Sequence, residues 1–127
     1  MAREIRNFAV SVPASTPIAS PQVTALTMPA RIVRRVRVRV PPGPAGNLGF
    51  ALGASGVAVI PWAAGQWLVG DNEIWEWDLE GQLESGAWQL RAYNLGVYAH
   101  SVYITFQLDL PQLVAPVLGP VPLDLST

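Results

Sequence analysis

The chain has 127 residues, a formal net charge of −1, and 13% charged against 50% hydrophobic residues. This length suits one domain, and an ordinary soluble domain carries about 25% charged residues. The low charge indicates that other protein covers part of the surface, and the net charge argues against nucleic acid and membranes as partners. The absence of cysteine excludes disulfides and thiolate metal sites. No stretch approaches the roughly 18 apolar residues that span a bilayer.

The first segment, residues 1–30, is rich in proline, serine and threonine, and we expect an extended N-terminal arm with one or two strands. Apolar residues alternate from Phe8 to Val12, which is the period of a strand. A second short strand is expected between Val23 and Met28. The prolines in this segment remove backbone donors and fix φ, which excludes a helix.

The second segment, residues 31–110, is predicted to be the main domain because its hydrophobic period is two almost throughout. Glycine, proline and asparagine turns separate the alternating runs at intervals of about 8–12 residues, which is typical of an antiparallel sandwich or barrel. We therefore predict an all-β antiparallel β-sandwich, favour a jelly roll and keep another β-sandwich as the alternative. The expected strands lie within residues 31–40, 48–52, 57–60, 66–69, 73–80, 88–93 and 101–110.

The last segment, residues 111–127, spaces four prolines between leucines and valines. Prolines exclude a helix here, and the segment is too apolar for an ordinary disordered tail. We expect an extended, proline-rich tail that lies across its own domain or across a neighbour.

Two of the predicted strands carry opposite charges at the same alternating period. The residues are Arg35, Arg37 and Arg39 on one strand and Glu76, Asp78 and Glu80 on the other. Side by side, such strands form cross-strand pairs of opposite charge, and the same match can also join two subunits. The sequence leaves both arrangements open. A phosphate-binding arginine ribbon is the competing hypothesis, and the lack of a basic cluster elsewhere argues against nucleic acid.

Five tryptophans fall within residues 62–88. Most of them are expected to pack inside the protein or at an interface, because tryptophan buries a large area. Trp62 and Trp67 flank a short loop and are the better candidates for an exposed contact. Together with Tyr98 they also define an alternative function, the aromatic surface of a carbohydrate-binding module.

The sequence shows no constellation that supports catalysis. His100 is the only histidine, and neither a cysteine nor a Gly-x-Ser-x-Gly elbow accompanies it. Glu76 and Asp78 have the side chains of a glycosidase pair, but their alternation along a strand is typical of a paired or solvated face. We therefore expect no catalytic, cofactor-binding or metal-binding residue, and we expect that the protein is not an enzyme.

Several turn and strand motifs resemble small virion proteins of tailed bacteriophages that infect high-GC actinobacteria. All eight basic residues are arginine, as a GC-rich coding background would produce. The resemblance covers about half of the chain and supplies no functional residues. The stretches that carry it are Val40-Pro-Pro-Gly-Pro-Ala-Gly46, Gly49-Phe-Ala-Leu52, Val59-Ile-Pro61, Ser85-Gly-Ala-Trp-Gln89 and Tyr93-Asn-Leu-Gly-Val97.

The resemblance implies a structural virion protein of the minor capsid or decoration type. Such a protein decorates or cements a phage capsid as a homo-oligomer, with a trimer favoured, and contacts the major capsid protein or another virion protein. Two alternatives remain open, a tail-tip or fibre attachment protein and a carbohydrate-binding β-sandwich that recognises a host receptor.

Overall fold

A computed structural model describes residues 3–29, 31–55, 57–61, 65–84 and 87–109, without the side chains of residues 3 and 80–84. The described residues form an all-β fold, as predicted. They include no helix of the length and apolarity that crossing a membrane would require. The strands are β1 (Arg3–Val12), β2 (Gln22–Ala25), β3 (Ile32–Val40), β4 (Leu48–Ala54), β5 (Val57–Ile60), β6 (Leu68–Val69), β7 (Glu73–Glu84), β8 (Trp88–Asn94) and β9 (His100–Asp109).

The strands form two antiparallel sheets, which confirms the predicted β-sandwich. Sheet A has the order β1-β9-β3-β7, and sheet B has the order β2-β8-β4-β5, with β6 also pairing with β4. The chain changes sheet at each step from β1 to β4 and again from β6 to β9. Except for β4 with β5 and β6, neighbouring strands therefore come from distant parts of the sequence, so long-range contacts hold both sheets together.

The segment predicted as an N-terminal arm supplies one edge strand to each sheet. β1 pairs with β9 over its whole length, from Arg3 opposite Asp109 to Val12 opposite His100. β2 pairs with β8 at the edge of sheet B. The predicted tail, residues 111–127, lies outside the described residues, together with Leu110 of the predicted domain.

The apolar faces of the two sheets meet in one core. Phe106 on β9 connects them, because its ring packs edge-on against Trp88 of sheet B at 5.2 Å and against Phe8 of the edge strand at 5.8 Å. The largest fully buried side chains are Trp88, Phe50, Phe106, Leu26, Leu48, Leu52, Leu90, Ile104, Leu108, Val12, Val33 and Val36.

A bulge in β3 places apolar residues on the same face even though their spacing breaks the alternating pattern. Val33 and Val36 are three residues apart, so a regular strand would turn them to opposite faces. Both are fully buried, because the pairing of β3 with β9 shifts by one residue between Val33 and Arg35. The extra residue is Arg34, whose Nε lies 2.8 Å and 3.0 Å from the two carboxylate oxygens of Asp109.

Candidate functional site

The charge-matched strands lie side by side on the outer face of sheet A. Arg35 is opposite Asp78 and Arg37 is opposite Glu76 in the register of β3 and β7. The closest nitrogen–oxygen distances are 3.8 Å for the Arg35–Asp78 pair and 3.7 Å for the Arg37–Glu76 pair. The match is therefore made within one chain, between residues that the register of these two long strands places opposite each other.

Arg39, the third arginine of the predicted charge match, does not extend these cross-strand pairs. Arg39 is opposite Ile74, and its guanidinium carbon lies 4.5 Å from the centroid of the Tyr103 ring. Glu80 lies where the register breaks, since β7 advances five residues from Asp78 to Leu83 while β3 advances two. The side chain of Glu80 lies outside the described part of the structure.

We expect a small coupling energy between Arg37 and Glu76, because both side chains are half exposed and solvent screens exposed ion pairs. A double-mutant cycle with Arg37→Ala and Glu76→Ala, followed by urea denaturation, should give about 0.2–1 kcal/mol, and added salt should reduce it. The combination of Arg39→Ala with Glu76→Ala is the control and should show a smaller coupling, because Arg39 is opposite Ile74 and only diagonal to Glu76. A coupling as large for the control pair would mean that the register assigned to β3 and β7 is wrong.

Trp67, one of the two predicted contact tryptophans, packs against its own domain. Its ring meets Tyr93 edge-on at 5.0 Å, and the guanidinium carbon of Arg91 lies 5.4 Å from its centroid. Tyr93 in turn covers Gly49, where an added Cβ would lie 2.3 Å from the tyrosine ring. Trp67 is therefore half-buried among side chains of its own domain. Trp62 lies outside the described residues.

The loop from β8 to β9 presents an apolar tip, defined here as Leu95, Val97 and Tyr98. These side chains are 52%, 79% and 74% exposed. Exposed apolar residues that cluster in this way are typical of a protein contact. The sequence suggested a role for Tyr98 only in a carbohydrate site, although three apolar residues within the four that follow Asn94 were a signal for the tip.

The base of the apolar tip is held by Asn94, a fully buried polar residue. Its side-chain amide donates to the carbonyl oxygens of Val12 and Tyr98 at 3.1 Å and 2.8 Å, and its Oδ1 accepts from the backbone N–H of Gly96 at 2.9 Å. The loop is thereby tied to both sheets, so its exposed side chains are held in place before any partner binds.

A second charged cluster, not anticipated from the sequence, lies at the opposite end of the sandwich. Glu4 forms ion pairs with Arg6 and, at 3.3 Å, with the Nε of Arg31. Glu4 has the strand parity of the inward face, since it pairs with Leu108. Inward-pointing charge on an edge strand discourages another strand from adding to that edge.

His100 lies at the start of β9, opposite Val12 at the same end as the apolar tip. Its ring lies against Gly43, where an added Cβ would be 3.2 Å from His100 Cε1. Within the described ranges, no three histidine, aspartate or glutamate side chains come together as metal ligands would.

The protein is an antiparallel β-sandwich. Ion pairs lie on the outer face of sheet A, and an apolar tip held by Asn94 lies on the loop from β8 to β9. One chain in the crystallographic structure of tomato aspermy virus has this fold, with a TM-score of 0.54 and 16% sequence identity. The match covers 89% of this chain and 82% of that one. At this identity the likeness shows the fold alone.

Two further solved structures match at TM-scores of 0.49, which is too low to carry an argument. The crystal structure of FLHE is 9% identical over 87% of this chain and 100% of that one. The cyanophage Pam1 capsid asymmetric unit is 15% identical over 86% and 85% of the two chains. No family model and no curated protein matches the sequence.

Proposed function

We propose that the protein is a structural component of a virus capsid and that its sandwich is a jelly roll. The observation that carries this proposal is the strand order. Eight strands fall into two sheets as β1-β9-β3-β7 and β2-β8-β4-β5, with β9 and β8 inserted beside the first strands of each sheet. Jelly rolls build this arrangement from two Greek keys, and viral capsid domains use it. The fold likeness to a chain of tomato aspermy virus supports the same proposal.

The more specific role that we propose is decoration or cementing of a bacteriophage capsid. The sequence resemblance to small virion proteins of actinobacterial phages supports this role, and the low charge content agrees with a surface covered by other protein. We further propose a homo-oligomer, with a trimer favoured, that binds the major capsid protein in the virion and carries out no catalysis.

The apolar tip is the surface that we assign to the capsid contact. It combines large exposed apolar side chains with a backbone fixed by Asn94, and preorganised apolar anchors contribute most of the binding energy in many interfaces. A partner that covers Val97 and Tyr98 removes apolar area from water without having to order the loop.

The proposal is tested by two measurements on the full chain. Light scattering after size exclusion should give three times the chain mass of 13.7 kDa. Cosedimentation with shells assembled from the major capsid protein of the same virus should show binding, which Val97→Asp weakens about tenfold or more. Val69→Asp is the matched control on another exposed valine and should bind normally. A monomer that does not sediment with shells would overturn the proposal.

A second candidate function is a carbohydrate-binding attachment module, which the exposure of Tyr98 favours. The contacts of Trp67 with Tyr93 and Arg91 weigh against it, because sugar binding needs an open aromatic face. A glycan array separates the two functions. Binding that is lost in Tyr98→Ala while the oligomer stays intact would favour the attachment module over capsid cementing.

A further inference from the structure

The outer face of sheet B contains an apolar groove along its central strand. Ala51 and Gly53 of β4 form its floor, and Val23 and Val57 border it with 54% and 65% of their side chains exposed. Arg91 supplies a positive charge along the same face. The groove has a volume of about 320 Å³. An apolar groove of this kind fits an extended segment with small or branched apolar side chains.

The groove arises from the residues that β4 places on its outer face. Gly53 lies opposite Gln89, and Ala51 lies opposite Arg91, so short side chains on β4 are flanked by long ones on β8. A Cβ added at Gly53 would approach the carbonyl oxygen of Val57 to 3.0 Å. The groove therefore results from the short residues of β4, and its floor does not depend on the position of a flexible side chain.

A second cleft continues this groove over one end of the sandwich. Leu26, Met28, Ala87 and Trp88 line it, and its volume is about 420 Å³. Gln89 borders both the cleft and the groove. The cleft and the groove therefore lie next to each other on the two sides of Gln89.

The last described residue, Asp109, lies at the same end of the sandwich as the cleft. β9 ends beside the start of β3, since Leu108 pairs with Val33. The chain enters β3 from the connection that follows β2, and Leu26 and Met28 belong to that connection. The sequence that follows Asp109 therefore begins next to the cleft.

Residues 110–127 have a composition that matches this path. The segment contains eight leucines and valines, four prolines and a single charged residue, Asp124. A proline-spaced chain is extended without needing backbone hydrogen bonds, which suits a groove bordered mainly by apolar side chains. The charge of Asp124 is opposite to that of Arg91 in the groove.

We propose that residues 110–127 bind in cis, across the end cleft and along the groove of sheet B. Eighteen extended residues reach up to about 60 Å, and the layers of a sandwich are about 10 Å apart, so the segment is long enough. Attachment next to the cleft gives it a high effective concentration at its own groove. This inference does not depend on the proposed capsid role, because it concerns the isolated chain.

Paramagnetic relaxation in the full chain tests the proposal, and the natural absence of cysteine makes single-site labelling clean. A nitroxide on Val57→Cys should broaden the NMR signals of residues 110–127. The matched control is a nitroxide on Val97→Cys, which is equally accessible but lies at the opposite end of the sandwich, and it should leave those signals sharp. Spin-labelled, isotope-enriched chains are diluted into an excess of unlabelled chains, so that only contacts within one molecule contribute.

The outcomes separate the possible occupants of the groove. Broadening that persists on dilution supports binding in cis. Broadening that requires a mixture of nitroxide-labelled and isotope-enriched chains means that the segment binds a second copy, and this result overturns the proposal, as does the absence of broadening. A Val57→Asp variant should shift the signals of residues 110–127, whereas Val97→Asp should leave them unchanged.

Discussion

Phe106→Ala is expected to lower the free energy of unfolding by about 3–5 kcal/mol, which is a large part of the 5–15 kcal/mol typical of a domain. Phe106 is fully buried and is the side chain through which β9, β8 and β1 meet. Its removal leaves a cavity between the sheets and also ends the edge-to-face contacts with Trp88 and Phe8. Urea denaturation followed by circular dichroism measures the loss, and Phe106→Leu should lose less because it fills more of the space.

The control for this prediction lies on the opposite face of the same strand. Tyr103 is half-buried on the outer face of sheet A, where it stacks under Arg39. Tyr103→Ala removes a ring of similar size but leaves no internal cavity, so its effect should stay near 1 kcal/mol. Equal losses for Tyr103→Ala and Phe106→Ala would contradict the assignment of inner and outer faces.

Asn94→Ala is expected to lower the free energy of unfolding by about 3 kcal/mol, because it removes three hydrogen bonds from a buried side chain to backbone groups. Those groups are the carbonyl oxygens of Val12 and Tyr98 and the N–H of Gly96. The change should also release the β8–β9 loop. Hydrogen exchange at the Gly96 amide is the direct measurement, and it should become faster in the variant.

Asn7→Ala is the matched control for the loss of an asparagine side chain. Asn7 is exposed on the outer face of sheet A and accepts one hydrogen bond, from Thr105 at 2.7 Å. Solvent can replace that bond, so the expected loss is below about 1 kcal/mol. If both variants lost the same stability, burial of Asn94 could not be the reason for its effect.

Asn94 also connects stability with the proposed capsid contact. Because it holds the loop that carries Val97 and Tyr98, its replacement should weaken shell binding even under conditions where the protein stays folded. A fixed loop presents its apolar side chains without the entropy cost of ordering them on binding. Loss of stability and loss of binding can then be separated by comparing Asn94→Ala with Phe106→Ala at equal fractions of folded protein.

The fold class and the faces of most strands could be predicted from the alternation of apolar and polar residues along the sequence. Alternation is a local property, so Val36, Val38 and Val40 could be assigned to one face and the arginines between them to the other. It also identified the opposite charges of Arg35 and Arg37 against Glu76 and Asp78. In the structure these residues pair within one chain. The sequence had left open whether they pair within one subunit or between two.

Which strands are neighbours could not be predicted in this way, because sandwich pairing is non-local and no short window of sequence encodes it. β1 pairs with β9 across almost the whole chain, which places Glu4 beside Arg31 and brings the first segment into sheet A. The bulge at Arg34 also depends on non-local pairing, since the register of β3 shifts there relative to both β9 and β7. The groove of sheet B has the same origin: β4 supplies the small residues, and its pairing with β8 supplies the long side chains beside them.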